Sequence, residues 1–122
     1  MNKAYLFGTV YEEPIKYIKN GRIHARTILR VKNSIGKVNY LPVTLRGTSA
    51  DKFAVLAHKG SVVAIEGEIE TNTYRASRLK RAIEIQIFAT DFFVLKKEQM
   101  LVMENEKLEY VVKLYDPERY LK

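Results

Sequence analysis

The sequence contains no cysteine among its 122 residues, which excludes disulfide bonds and thiolate metal sites. Its two histidines, His24 and His58, are far apart and have no neighbouring ligands, so we interpret them as strand or helix-end residues rather than metal ligands. No apolar run approaches the roughly 18 residues of a membrane span, and Glu12 and Glu13 follow the start too closely for a signal peptide. These absences predict a soluble, cytoplasmic protein that contacts no membrane and needs no cofactor.

Motifs of enzymatic chemistry are also missing. Neither of the glycine-rich phosphate-binding patterns occurs, and no Ser/His/Asp grouping indicates an activated nucleophile. Glu66, Glu68 and Glu70 alternate along one predicted strand, which makes them the only candidates for the carboxylates of a metal-dependent nuclease. We interpret them as a solvated strand face and predict that the protein is not an enzyme, with the nuclease kept as an alternative that cleavage assays can test.

Positive charge is abundant and unevenly distributed. The net charge is +7, yet residues 1–97 contain 17 Lys and Arg against 8 Asp and Glu, whereas residues 98–122 contain 4 against 6. A basic balance of this kind indicates an anionic partner such as nucleic acid, although solubility alone also explains a charged surface. Any anion-binding surface should therefore lie in residues 1–97, which we predict to be one domain, with 98–122 as a C-terminal extension.

The stretch Arg22–Lys32 is the clearest strand. Its odd positions carry Ile, Ala, Thr, Leu and Val, whereas its even positions are mostly basic. Since strand side chains alternate between two faces, one face is predicted to be core and the other basic. Asn20-Gly21, just before it, is a strong hairpin signal because both residues tolerate positive φ.

Four further strands are predicted, over Lys3–Glu13, Lys37–Gly47, Ser61–Tyr74 and Ala82–Leu95. Gly8 and Gly67 predict a bulge or bend, and Pro42 predicts an edge or a pairing break because it has no N–H to donate. In the last strand Ile83, Ile85, Ile87 and Ala89 are predicted to point inward.

One short helix is predicted over Ser49–Lys59, between the third and fourth strands. Ser49 is the predicted cap, Gly60 the predicted stop, and Phe53, Leu56 and Ala57 the packed side. Three strands, one helix and two strands form the order of an all-β, five-stranded OB-fold barrel. The extension is predicted to be partly helical, over roughly 104–114, and to stop before Asp116-Pro117.

These residues resemble the OB-type single-stranded DNA-binding proteins of bacteria and phages over about residues 2–95. The resemblance runs through NKAYLFG, EPIKYIKNG and LPVTLRG, and is most specific at HKGSVVAIEGEIET. It implies homodimers or homotetramers, and aromatic residues that stack on bases, at Tyr17, Tyr40 and Tyr74. Arg46 departs from the family, which often has an aromatic residue there. The sequence also ends without the Gly/Pro-rich tract and acidic tip of bacterial members, which favours a phage-like architecture.

Aromatic and basic residues together suit a single strand, because rings stack on any base and cations bind the phosphates. The predicted binding residues are Tyr17, Arg26, Arg30, Lys32, Tyr40, Arg46, Tyr74, Arg75, Arg78, Lys80 and Arg81. Taken singly, the charges are also explained as a solvated strand face or a hairpin tip, and the tyrosines as packing residues. We therefore predict sequence-independent binding and protection of single-stranded DNA in replication or recombination, with a protein-binding adaptor of such a complex as the alternative.

Overall fold

The structure is a computed structural model that describes residues 1–75 and 77–95, with only the backbone of residues 74 and 75. The predicted C-terminal extension and its helix lie outside the described residues. Within them, six strands and one helix follow in the order β1 Ala4–Val10, β2 Ile15–Lys19, β3 Arg22–Lys32, β4 Val38–Arg46, α1 Thr48–Leu56, β5 Val62–Arg75 and β6 Arg81–Val94. None of the helices in this part of the chain is long and apolar enough to cross a membrane.

Five of these strands close into a ring. β1 pairs antiparallel with β5 and, at Thr9 and Val10, with β3. β3 continues to β4, β4 to β6, and β6 back to β5. The β4–β6 contact is the parallel one, and it pairs Val43 with Ile87 and Thr44 with Phe88. This ring, with α1 between β4 and β5, confirms the predicted OB-fold barrel.

Two glycines allow neighbouring strands of the ring to approach closely. A Cβ on Gly8 would collide with the backbone carbonyl of Arg30, next to the point where β1 passes from β5 to β3. A Cβ on Gly67 would collide with the carbonyl of Phe88, and the β5–β6 register shifts between Glu66 and Gly67. The register shift confirms the irregularity predicted at Gly67, whereas the bend predicted at Gly8 stays a prediction, and at both positions the close backbone approach explains why glycine is needed.

β2 was not predicted as a strand. It pairs with β3 through the turn at Asn20 and Gly21, whose φ angles are 52° and 74°, so the predicted hairpin is confirmed. Its sequence, IKYIK, is too short to show a strand period clearly. The first strand was predicted to end at Glu13. The observed β1 ends at Val10.

The core lies inside the ring, as the alternation in β3 predicted. Ala25, Thr27 and Leu29 are buried, and Ala25 and Leu29 belong to one cluster with buried residues of β4, α1, β5 and β6. In β4 the ladder with β3 runs through Pro42 without a break, whereas pairing with β6 begins at Val43, so Pro42 lies at an edge, one of the two predicted alternatives.

The helix differs from its prediction at both ends. It begins at Thr48 and ends at Leu56, and its N-cap is Gly47, with φ 67° and no side-chain cap. Ser49 is therefore inside the helix rather than its cap, and the chain turns extended at Ala57, before the predicted stop at Gly60. Phe53 and Ala57 are buried as predicted, but Leu56, the last residue of the helix, is exposed, so its predicted packing was wrong.

The β5–β6 hairpin extends beyond the barrel, and we call its residues 68–86 the arm. β1 pairs with β5 only as far as Gly67, and over the arm β5 and β6 pair only with each other in the described residues. Ile87 and Ala89 are buried as predicted, whereas Ile83 and Ile85 are 68% and 57% exposed. The prediction that all four point into the core was wrong for these two isoleucines, since alternation continues along a strand after the core has ended.

Candidate nucleic-acid interface

Most of the predicted binding residues that can be placed lie on one outer face of the barrel. Residues directly opposite each other on paired antiparallel strands share a face. Across β3 and β4, Arg30 is opposite Tyr40, Arg26 is opposite Thr44, and His24 is opposite Arg46. Because the buried residues of β3 occupy the other positions, this shared face points away from the core. We call it the outer face.

One end of the outer face is aromatic and basic. Tyr40 is 52% exposed, and its ring meets that of Tyr11 edge to face, with centroids 4.8 Å apart. Arg30 lies opposite Tyr40, and Lys32 lies at the end of the same strand. Neither cation makes an ion pair within the described residues, so both are available to an anion.

Sequence reasoning missed Tyr11. Its backbone N–H donates to the carbonyl of Ile28 at 2.8 Å, which continues the β1–β3 ladder by one residue. Val10 is buried in the core, so the next side chain lies on the opposite face, beside Tyr40. The alternation within KAYLFGTVYEE is the signal that places Tyr11 outward.

The centre of the outer face is a network of paired polar groups. The Arg46 guanidinium lies 4.0 Å from the centroid of the Phe88 ring and donates to Glu70 Oε2 at 2.9 Å. Gln86 links two neighbours, because its Oε1 accepts from the Thr44 hydroxyl at 2.9 Å and its Nε2 donates to Glu70 at 3.4 Å. No buried side-chain polar atom in the described part of the chain lacks a partner.

Arg26 is also paired. Its Nη2 donates to Glu84 Oε1 of β6 at 2.5 Å. Two of the arginines predicted to bind single-stranded DNA, Arg26 and Arg46, therefore each face a carboxylate from the arm. The predicted basic face is basic at its ends and electrically balanced in the middle.

The β2–β3 hairpin forms the other end. Tyr17 is stacked on His24, with centroids 5.3 Å apart and an interplanar angle of 17°, so one side of its ring is already covered by protein. This contact agrees with the alternative in which Tyr17 packs within its own hairpin. Beside it, a groove of about 400 Å³ is lined by Lys19, Asn20, Arg22, His24 and Arg46, which are mostly basic.

The remaining predicted residues lie on the arm. Arg78, Lys80 and Arg81 are exposed around its turn, where the backbone groups of Ser77 and Lys80 bond to each other. In the backbone register Tyr74 pairs with Ala82 and Arg75 with Arg81. The side chains of Tyr74 and Arg75 lie outside the described residues, so their predicted contacts stay predictions.

The glutamates considered for a nuclease site are separated. Glu66 is buried and pairs with Lys3 at 3.1 Å, the hydrogen bond to Glu66 being the main cause of the raised pKa of Lys3. Glu70 is paired with Arg46, and the register shift at Gly67 divides Glu66 from the other two. In the residues that the structure describes, no three His, Asp or Glu side chains are grouped so as to hold a metal ion.

A five-stranded OB-fold barrel whose outer face carries exposed tyrosines beside an arginine that has no ion pair in the described residues has the form of an oligonucleotide-binding domain. Comparison with known proteins specifies the family: the chain belongs to the single-strand binding protein family, which it matches over residues 1–95. Members of this family are non-enzymatic DNA-binding proteins. The resemblance expected from the sequence is thus confirmed at the level of the family.

Two curated relatives show the extent of the similarity. A single-stranded DNA-binding protein of Lactiplantibacillus plantarum is 24% identical over 103 residues, which cover 79% of this chain and 52% of the relative. Single-stranded DNA-binding protein 1 of Clostridium acetobutylicum is 32% identical over 83 residues, which cover 62% of this chain and 76% of the relative. The chain thus matches only about half the length of the first relative, and a phage-like architecture stays a prediction.

Proposed function

We propose that the protein binds single-stranded DNA without reading its sequence and protects it during replication or recombination. The observation that carries the proposal is the pair of the exposed Tyr40 and the half-buried Arg30, opposite each other on the outer face. A tyrosine ring stacks on any base for about 1–3 kcal/mol. The adjacent guanidinium binds the phosphate that follows, and this combination favours no particular base.

The distribution of unpaired cations supports a path for the strand. The aromatic end has Arg30 and Lys32, the hairpin end has Lys19 and Arg22, and the arm has Arg78, Lys80 and Arg81. Each contacted phosphate releases condensed counterions, which gives a log–log salt slope of about −0.7 per phosphate for single strands. We propose that phosphates follow these outer positions while bases lie toward the centre.

Titration of a labelled thymidine oligomer and of a duplex of equal length, each at two salt concentrations, tests the proposal. We expect tighter binding of the single strand, because the duplex hides its base faces from Tyr40 and Tyr11. Oligomers of dA and dC of the same length serve as controls for sequence independence. Equal affinity for the single strand and the duplex would contradict the proposal.

We propose that the protein acts as a homodimer or homotetramer. On the side away from β5, the Ala4–Gly8 part of β1 pairs with no strand in the described residues, and an unpaired strand edge is a template for pairing with another chain. Light scattering with and without a thymidine oligomer measures the assembly directly. A monomeric mass at micromolar concentration under both conditions would refute it.

The apolar side of the arm favours the second candidate, an adaptor that binds another protein of a replication or recombination complex. Ile69, Ile83 and Ile85 are exposed on this side, and contiguous exposed apolar residues mark protein contacts. If the adaptor is correct, Tyr40→Ala with Arg30→Ala leaves partner binding unchanged, whereas Ile83→Ser with Ile85→Ser removes it. The opposite pattern excludes this candidate.

A further inference from the structure

Two arginines of the outer face are neutralised by carboxylates of the arm. The Arg26–Glu84 pair joins β3 to β6 at 2.5 Å, and the Arg46–Glu70 pair joins β4 to β5 at 2.9 Å. All four side chains are between 30% and 47% exposed, so they are accessible to a bound nucleic acid. Both pairs lie in the centre of the outer face, on either side of Thr44 and Gln86.

The other cations of this face have no such partner. Arg22, Arg30 and Lys32 make no ion pair within the described residues, and neither do Arg78, Lys80 and Arg81 on the arm. A phosphate that approaches one of these side chains meets a net positive charge. A phosphate that approaches Arg26 or Arg46 meets a pair of zero net charge, with a carboxylate that repels it.

The centre nevertheless offers the planar guanidinium of Arg46 to a base. Arg46 lies over the Phe88 ring, and Glu70 fixes the guanidinium in that position through a charge-assisted hydrogen bond. The neighbouring Thr44 and Gln86 already satisfy each other. A base can therefore stack over this region without leaving a buried polar group unpaired, whereas a phosphate gains little there.

We infer that Glu70 and Glu84 are specificity-determining residues, which withhold Arg46 and Arg26 from phosphates and so lower the affinity for duplex DNA relative to single strands. The inference rests on the proposed binding of single-stranded DNA. A duplex presents mainly phosphates to a protein surface and depends on cations for non-specific binding. A single strand can turn its bases toward the neutral centre and place its phosphates at the cationic ends.

The variants Glu70→Gln and Glu84→Gln, singly and together, test this role. Glutamine keeps the size of the side chain and an oxygen acceptor but removes the charge. Each released arginine should steepen the log–log salt slope for a duplex by about 0.9, whereas the slope for a single strand, whose phosphates lie at the cationic ends, should change little. Over a fourfold rise from about 50 to about 200 mM salt, the steeper duplex slope adds a loss of about 3.5-fold in affinity per released arginine. At the lower salt the variants should bind duplex more tightly than the unmodified protein does, and the preference for single strands should fall.

Glu68→Gln is the matched control. Glu68 is exposed on the same strand, two residues from Glu70, and forms no ion pair or hydrogen bond in the described part of the chain. The Glu68→Gln substitution removes the same charge without releasing an arginine, so we expect an unchanged salt slope. Thermal unfolding of each variant shows whether the fold is kept, and the two test positions on different strands provide independent readings.

The outcomes separate this inference from the proposed function. If Glu70→Gln and Glu84→Gln behave like Glu68→Gln, or weaken both ligands equally, the carboxylates only hold the arginines in place and the inference is overturned. If the unmodified protein shows no preference for single strands, the proposed function itself fails. A steeper slope with a reduced preference supports both.

Discussion

Tyr40 and Tyr5 allow the contribution of stacking to be measured at the scale of one residue. Their side chains are 52% and 48% exposed, but Tyr40 lies on β4 beside Tyr11, whereas Tyr5 lies on β1 opposite Glu66 of β5. We expect Tyr40→Leu to weaken binding of a thymidine oligomer by about 1–3 kcal/mol, because a base loses its ring partner. Fluorescence titration at several salt concentrations should show an unchanged salt slope.

Tyr5→Leu is the control for this change. It removes a ring of similar exposure from a different wall of the barrel, and it should leave affinity for the oligomer unchanged. An equal loss in both variants would mean that the effect arises from the fold rather than from the outer face. A Tyr40→Leu variant with altered salt slope would assign Tyr40 to phosphate contact instead.

Glu13 couples stability to pH at a second single position. Its carboxylate accepts from the backbone N–H of Lys59 at 2.8 Å and lies 2.8 Å from His58 Nδ1. These contacts, with Lys59 the larger, lower the pKa of Glu13. A group with a lowered pKa in the folded state stabilises the fold above its unfolded pKa, about 4.3 for glutamate, and loses this effect as the pH falls through the folded pKa.

We therefore expect Glu13→Gln to destabilise the protein at neutral pH and to have less effect in acid. Urea unfolding at pH 7 and at about pH 3 measures the difference between the two proteins. The difference in the free energy of unfolding between Glu13→Gln and the unmodified protein should be smaller at the lower pH. Glu12→Gln is the control, since the neighbouring carboxylate has no described partner, and a gap of equal size at both pH values would contradict the role of Glu13.

At the scale of elements, β6 consists of a part over the core and a part on the arm. Ile87 is 5% exposed and contacts the core cluster, whereas Ile83 is 68% exposed. Ile87→Ala should lower the free energy of unfolding by about 2–5 kcal/mol, since it leaves a cavity. Ile83→Ala should cost under about 1 kcal/mol, the range of strand propensity alone.

Urea unfolding of the two variants measures this contrast. Comparable losses would show that the apolar side of the arm is covered in solution, for example by another copy of the chain. Repeating the measurement over a range of protein concentrations shows whether another copy of the chain covers the arm, because stability that depends on association rises with concentration.

The elements that could be predicted are those whose signals are local. Alternation gave β3 its observed bounds, and Asn20-Gly21 gave the hairpin, because both depend on neighbouring residues only. The inward direction of Ile83 and Ile85 could not be judged locally, since the same alternation occurs over a core and beyond it. β2 was missed because five residues carry too little periodicity.

The candidate site was predictable in its members but not in its charge balance. The face shared by Arg30, Tyr40 and Arg46 follows from strand period and register. The pairing of Arg26 with Glu84 joins residues 58 positions apart, and that of Arg46 with Glu70 joins residues 24 apart. Such contacts depend on how the ring closes, so a count of charges along the strand overstates the cations available to phosphate.

At the scale of the whole molecule, the positive balance of residues 1–97 should attract a strand before any contact forms. A thymidine analogue with an uncharged, peptide-like backbone offers the same bases without phosphates. We expect its association rate to be at least about tenfold lower than that of the DNA oligomer at low salt. Its affinity should vary little with salt, because no phosphate counterions are released.

Stopped-flow mixing at several salt concentrations measures both ligands. The DNA oligomer should lose its rate advantage as the salt concentration rises, because screening shortens the reach of the charges. Equal rates for the two ligands at low salt would show that the net charge does not guide association.

The short parallel contact between β4 and β6 is one of two narrow joins in the ring, the other being between β1 and β3. In the register, two residue pairs join β4 to β6, whereas nine residue pairs join β3 to β4. The Thr44–Gln86 hydrogen bond and the stacking of Arg46 on Phe88 also join β4 to β6. A DNA strand bound over the centre of the outer face would contact both β4 and β6. Binding of DNA and closure of the ring would then stabilise each other.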